Sequence, residues 1–173
     1  LFSPCGRYRW WLLRSWQPAR SAVVFVGLNP STADGTRNDA TLERLLRLAR
    51  HWGHGGLLVL NLFARTGRHP DVLRRCADPV GARNDAWLVT ALDWLGQPPT
   101  APEGPPPRVW LGWGQRGGLH ARDRRVLDLL RCWKGELVSV GTTRGGHPRH
   151  PLYTRSDQDP LPFHLPFHVA PLS

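Results

Sequence analysis

The sequence predicts an α/β fold: one three-layer α/β/α domain around a central, mostly parallel four-stranded sheet. Two observations carry this. Four short, continuous apolar runs are spread along the chain, and amphipathic helical patterns lie between them. Continuous β-branched runs suit strands buried on both faces, and alternation with helices suits parallel pairing. At 173 residues the chain is long enough for one domain with a real core.

The first run is 22–28, Ala-Val-Val-Phe-Val-Gly-Leu, ending in Asn29-Pro30. Asp39 then caps a helix with apolar Leu42, Leu45, Leu46, Ala49 and Trp52, stopped by Gly53. The second run, 57–60, ends in Asn61. A helix over 83–95 follows, with Trp87, Leu88, Ala91 and Leu95, and stops at Gly96. The third run, 109–112, comes after a proline-rich surface loop at 97–108. A helix over 119–133 carries Leu119, Val126, Leu127, Leu130 and Trp133, and Gly135 ends it. The fourth run, 136–140, closes at Gly141. Residues 7–16 are aromatic and basic and read as an added strand or hairpin. The domain spans 1–156, and 157–173 reads as an irregular proline-rich tail on the surface.

Charge narrows the ligand class. Lys+Arg is 23 against 13 Asp+Glu, a net +10, and Lys134 is the only lysine. An arginine-rich positive field favours phosphate-bearing partners, so DNA, another nucleic acid or a nucleotide is the expected partner. No apolar run reaches membrane-spanning length and no signal peptide opens the chain, so no membrane partner is expected and the expected address is cytoplasmic. Three scattered cysteines imply no disulfide framework and are too few for an all-cysteine iron–sulfur cluster. No cofactor is expected, and there is no phosphate-binding loop of the Gly-x4-Gly-Lys type. His147/His150 and His164/His168 have zinc-like spacing, but half of them lie in the tail and no cysteine is near, so no metal is expected.

Ligands of open parallel sheets bind beyond the carboxyl ends of the strands. Those ends here carry Gly27-Leu28-Asn29-Pro30-Ser31-Thr32, then Asn61-Leu62-Phe63, then Gly112-Trp113-Gly114, then Gly145-Gly146-His147-Pro148-Arg149-His150-Pro151-Leu152-Tyr153. In order and spacing they resemble the uracil-DNA glycosylase superfamily. Gly27-Leu28-Asn29-Pro30 is similar to its water-positioning motif, Val59-Leu60-Asn61 to its base-reading strand, and the two His-Pro pairs to its last motif. Gly-Leu-Asn-Pro-Ser-Thr, Asn-Leu-Phe-Ala and Pro-Arg-His-Pro-Leu-Tyr also resemble, over most of 5–155, a bacterial family called domain of unknown function 1643, which implies no activity.

The superfamily resemblance implies hydrolysis of the N-glycosidic bond of uracil or another modified base flipped out of DNA, a role in base excision repair, and a nucleoid-associated location. Asn29 would place the water and His150 would stabilise the departing base. Asn61, Phe63 and His147 would contact the base. Ser31, Thr32, Arg144, Gly145, Gly146 and Arg149 would meet phosphate. An amide cannot deprotonate water. Active superfamily members usually carry a carboxylate where Asn29 stands and an aromatic soon after, yet 31–50 holds no aromatic. Asp34 or Asp39 offers a carboxylate, although a helix cap also accounts for Asp39. A non-catalytic binding module and a small-nucleoside N-glycosidase remain the alternatives.

Overall fold

A computed structural model describes residues 1–31, 38–67, 69, 71–97 and 104–165. Six strands form one mixed sheet: β1 (Leu12–Ser15), β2 (Ala22–Gly27), β3 (Gly56–Asn61), β4 (Arg108–Leu111), β5 (Glu136–Ser139) and β6 (Leu161–Pro162). Their order is β1-β3-β2-β4-β5-β6. The pairs β3/β2, β2/β4 and β4/β5 are parallel, and β1/β3 and β5/β6 are antiparallel. The expected count of four is thus corrected to six. One extra strand comes from the aromatic-basic segment, where Leu12 pairs with Val59. The other comes from the tail read as irregular: Leu161 pairs with Ser139, and Trp52 Nε1 donates to the Gln158 carbonyl at 2.8 Å. An edge strand needs only one partner, so two residues suffice.

Four α-helices accompany the sheet: α1 (Ala40–His51), α2 (Val72–Arg75), α3 (Asn84–Gly96) and α4 (Arg122–Leu129). Asp39 caps α1, its side chain accepting from Leu42 N at 2.8 Å, and Gly53 with φ +82° turns the chain after it. Alternate residues of the strands feed two separate apolar clusters, as the two-residue repeat requires. Val23, Phe25, Leu57, Val59 and Trp110 pack with Leu42, Leu45 and Ala49 of α1. Val24, Val26, Leu58, Leu60, Val109 and Leu111 pack with Leu88, Ala91 and Leu95 of α3 and Val126 of α4. Trp110 is fully buried between Phe25 and Trp52, ring centroids 4.8 and 4.5 Å away.

The helix expected over 119–133 is broken. Residues Gln115–Ala121 form 3-10 turns interrupted by Leu119 (ψ 127°) and by His120 and Ala121 at φ 54° and 52°. Left-handed and extended residues cannot continue a right-handed ladder, so α4 begins only at Arg122. No helix among the described residues is long and apolar enough to cross a membrane.

His54, just after α1, is buried at 1% exposure. Ser21 Oγ donates to the Pro105 carbonyl at 2.6 Å, so His54 Nδ1–H, 3.1 Å away, donates to Ser21 Oγ. Burial, reinforced by Arg108, pulls the His54 pKa from 6.5 down to about 4. The unfolded chain therefore binds a proton that the folded chain refuses. The stability this neutral histidine protects is complete above pH 6.5 and declines as pH falls toward about 4, by at most about 1.4 kcal/mol per pH unit. Urea unfolding across that window should show a shallower acid slope in His54→Gln than in the parent. Equal slopes would rule out His54 as the source.

Candidate functional site

β2, β3, β4 and β5 all deliver their carboxyl ends to one side of the fold. There, the loop after β2, the end of β3, the Trp113-Gly114 turn after β4 and residues 150–153 enclose a cleft of about 590 Å³. The first turns of α1 close it from one side through Asp39, Thr41, Leu42 and Leu45. Asn29, Ser31, Asn61 and His150, four of the residues marked by the sequence, line this cleft together.

Asn61 is the innermost polar group. It ends a strand buried along its whole length and is itself 3% exposed. Its backbone is tied down from α3 and α4. Asn84 Nδ2 donates to the carbonyls of Asn61 and Leu62 at 3.0 and 2.9 Å, and Arg122 Nε donates to Leu62 at 2.6 Å. Arg122 also pairs with Asp85 at 2.5 Å. Burial alone would raise the Asp85 carboxyl, but Arg122 and Arg125 overcome it and hold the carboxyl below its usual range. The Asn61 side chain needs the glycine beside it. A Cβ on Gly27 would stand 3.0 Å from Asn61 Oδ1 and 2.9 Å from the Phe25 ring. Asn61 Nδ2 is buried and has no hydrogen-bond partner among the described residues. Buried donors in native proteins are nearly always paired, so an unfilled one lining a cleft points to a ligand acceptor or a water.

Asn29 is oriented by two backbone carbonyls. Its Nδ2 donates to Pro30 at 3.1 Å and to Gly67 at 3.0 Å. That leaves Oδ1 as an acceptor, suited to a water or an N–H but unable to take a proton outright. His150 Nδ1 accepts from Leu152 N at 3.3 Å, which puts the ring proton on Nε2. Burial lowers its pKa, against the opposing pull of Asp39, so His150 is a neutral donor at neutral pH. Asp39 accepts from Leu42 N through Oδ1 and from the Ser31 hydroxyl through Oδ2. Arg9, 3% exposed, adds a positive charge to the same wall. Burial pulls its pKa down to about 10, with Asp39 acting the other way, so it stays charged.

Several expected residues fall elsewhere. Phe63 is fully buried in the cluster under α3 and α4, 6.5 Å from His120, and cannot stack on a base in the cleft. The chain turns after Asn61 and drives Phe63 into the core. Phe25, Trp113 and the 79% exposed Tyr153 are the aromatic walls instead. His147 lines a neighbouring cleft of about 470 Å³ with Gly145 and Gly146, 3.4 Å from Asp123. The segment 141–149 folds as a tight hairpin, with Gly146 at φ +77° and Thr143 N donating to the His147 carbonyl at 2.8 Å. Arg144 is exposed near its tip, and Arg149 folds back onto the Thr142 carbonyl at 3.1 Å. Of the expected phosphate contacts among the described residues, only Ser31 lines the main cleft, and its hydroxyl is donated to Asp39. Thr32 and Asp34 lie outside the described residues. Among the described residues no three His, Cys, Asp or Glu side chains gather as a metal would require.

Arg9, Phe25, Gln115, Arg116 and Tyr153 also line the cleft and were not singled out in the sequence. The Tyr153 signal was available in the Pro-Leu-Tyr that follows His150. Arg9 had none, because it arrives from a distant segment.

A family model described as a protein of unknown function (DUF1643) matches residues 9–152. No curated protein and no solved structure gives a match.

Asn84→Ala strips a donor from two buried carbonyls at the base of the cleft. It should cost about 1–3 kcal/mol of stability in urea unfolding. A change near zero would show that the Asn84 bonds do not hold the end of β3.

Proposed function

We propose, for a chain that belongs to the DUF1643 family of unknown function, that the cleft receives a flipped-out nucleobase and hydrolyses its N-glycosidic bond in the manner of uracil-DNA glycosylases. The observation that carries this reading is the meeting of Asn29, Asn61 and His150 in one cleft, with the buried Asn61 amide short of a partner among the described residues. A pyrimidine carbonyl would fill that donor, and an imide N–H would suit Asn61 Oδ1. The exposed Tyr153 ring offers an apolar face to a base taken out of its stack, above buried Phe25 and Trp113 in the wall. The net charge of +10 suits a polyanion. Helix α1 on one face of the sheet and α3 and α4 on the other are read as the three layers of a glycosylase-type domain.

In this reading His150 Nε2–H donates to the oxygen on which charge builds as the base leaves, and Asn29 Oδ1 orients the attacking water. Neutral His150 suits this role, since a donor only has to stabilise the developing anion. One feature favours the binding-module alternative: the Asn29 amide nitrogen is held by backbone carbonyls and its oxygen is no base.

Oligonucleotides carrying uracil opposite A, opposite G and in single strands, with a panel of damaged bases, test this directly. After hot alkali, a cleavage band is expected on at least one substrate. The band should disappear in Asn29→Ala and His150→Ala with DNA affinity near that of the parent. Absence of a band on every substrate, with salt-sensitive binding retained and weakened by Asn61→Ala, would leave the binding module standing. Affinity that is equal at low and high salt would exclude DNA and favour a small nucleoside.

A further inference from the structure

Hydrolysis takes a proton from the attacking water, and a carboxylate beside that water would accept it as the C–O bond forms. Asn29 is an amide. His150 already has Nδ1 filled by Leu152 N–H and carries its proton on Nε2. Arg9 and Arg116 are cations, and Gln115 is neutral. Among the described residues lining the cleft, Asp39 is the only acid.

We infer that Asp39 is the proton acceptor of the cleft, a carboxylate at the N-cap of α1 supplying what Asn29 cannot; this rests on the N-glycosidase reading above. A helix cap needs only one acceptor oxygen, and Leu42 N uses Oδ1 for that. The second oxygen is fixed by the Ser31 hydroxyl, two residues after Asn29, which ties the Asn29 loop to the start of α1. An ionised carboxylate offers about four lone-pair sites. Among the described residues two are filled, one on each oxygen. Asp39 stands at the N-terminus of α1, with the buried cation Arg9 on the same wall of the cleft.

The step balances. The water oxygen bonds to the sugar C1′ and its proton passes to Asp39. The C1′–N bond breaks, and its electron pair goes to the base, whose oxygen accepts a hydrogen bond from His150 Nε2–H. The departed base anion is then protonated as Asp39 returns to its carboxylate.

Asp39→Asn tests this because asparagine caps helices as well as aspartate but takes no proton. Asp39→Ser is a second cap-preserving variant. Single-turnover excision, DNA affinity and thermal melting are measured on the substrate the parent cleaves. Asp39→Asn should lower the rate by about 10²–10⁴-fold, with affinity and melting near the parent. Undiminished cleavage by Asp39→Asn would overturn the inference and leave the N-glycosidase reading intact. So would a rate loss matched by loss of affinity in both Asp39 variants. A parent that cleaves no substrate would overturn both readings.

Discussion

The polar end of β3 is the constraint on which the site depends. A strand buried from Gly56 to Asn61 cannot stop in the interior without donors for its last carbonyls. Asn84 and Arg122 supply them from α3 and α4. Because the backbone is satisfied from that side, the Asn61 side chain is left to face the cleft with its amide unfilled. Gly27 on the adjacent strand gives it room, since any larger residue would press on Asn61 Oδ1 and the Phe25 ring. In the proposed reading this donor is already held in place, so it would lose little freedom on binding a base.

Two further features follow from the same arrangement. Parallel pairing of β3, β2, β4 and β5 brings four loops to one edge, so residues far apart in sequence share a cleft. Helix α1 then sets its amino end against that edge. The Ser31–Asp39–Leu42 bonds join the loop after β2 to the helix, placing a carboxylate among amide, imidazole and guanidinium groups. Burial keeps His150 neutral and a donor, while Arg9 lies within reach of the Asp39 charge.

The inner strands and α1 were legible because their signals are local. Continuous apolar runs marked the strands, and Asp39 and Gly53 bracketed α1. Features set by tertiary context were not. The 119–133 pattern is amphipathic throughout, but the left-handed His120 and Ala121 cut it where Gly117 packs against the Trp113 ring. Phe63 follows Asn61 so closely that adjacency suggested a shared role, yet the turn after β3 sends the ring into the core. His147 and His150 are three residues apart and face different clefts, because the hairpin ends between them. Asn29, Asn61 and His150 were expected together because each stands at a strand end or in the loop beyond one, and they line one cleft. Arg9 was missed because no local pattern says where its side chain will be buried.

The central claim is that the unfilled Asn61 amide waits for the carbonyl of a base. Its side-chain NH2 resonances, assigned by their absence in Asn61→Asp, report this directly during titration with oligonucleotides. A duplex bearing the recognised base should shift them downfield, and the matching abasic duplex should leave them in place while shifting surface arginine signals. Identical responses to the two duplexes, or no response while the DNA is bound, would contradict the account.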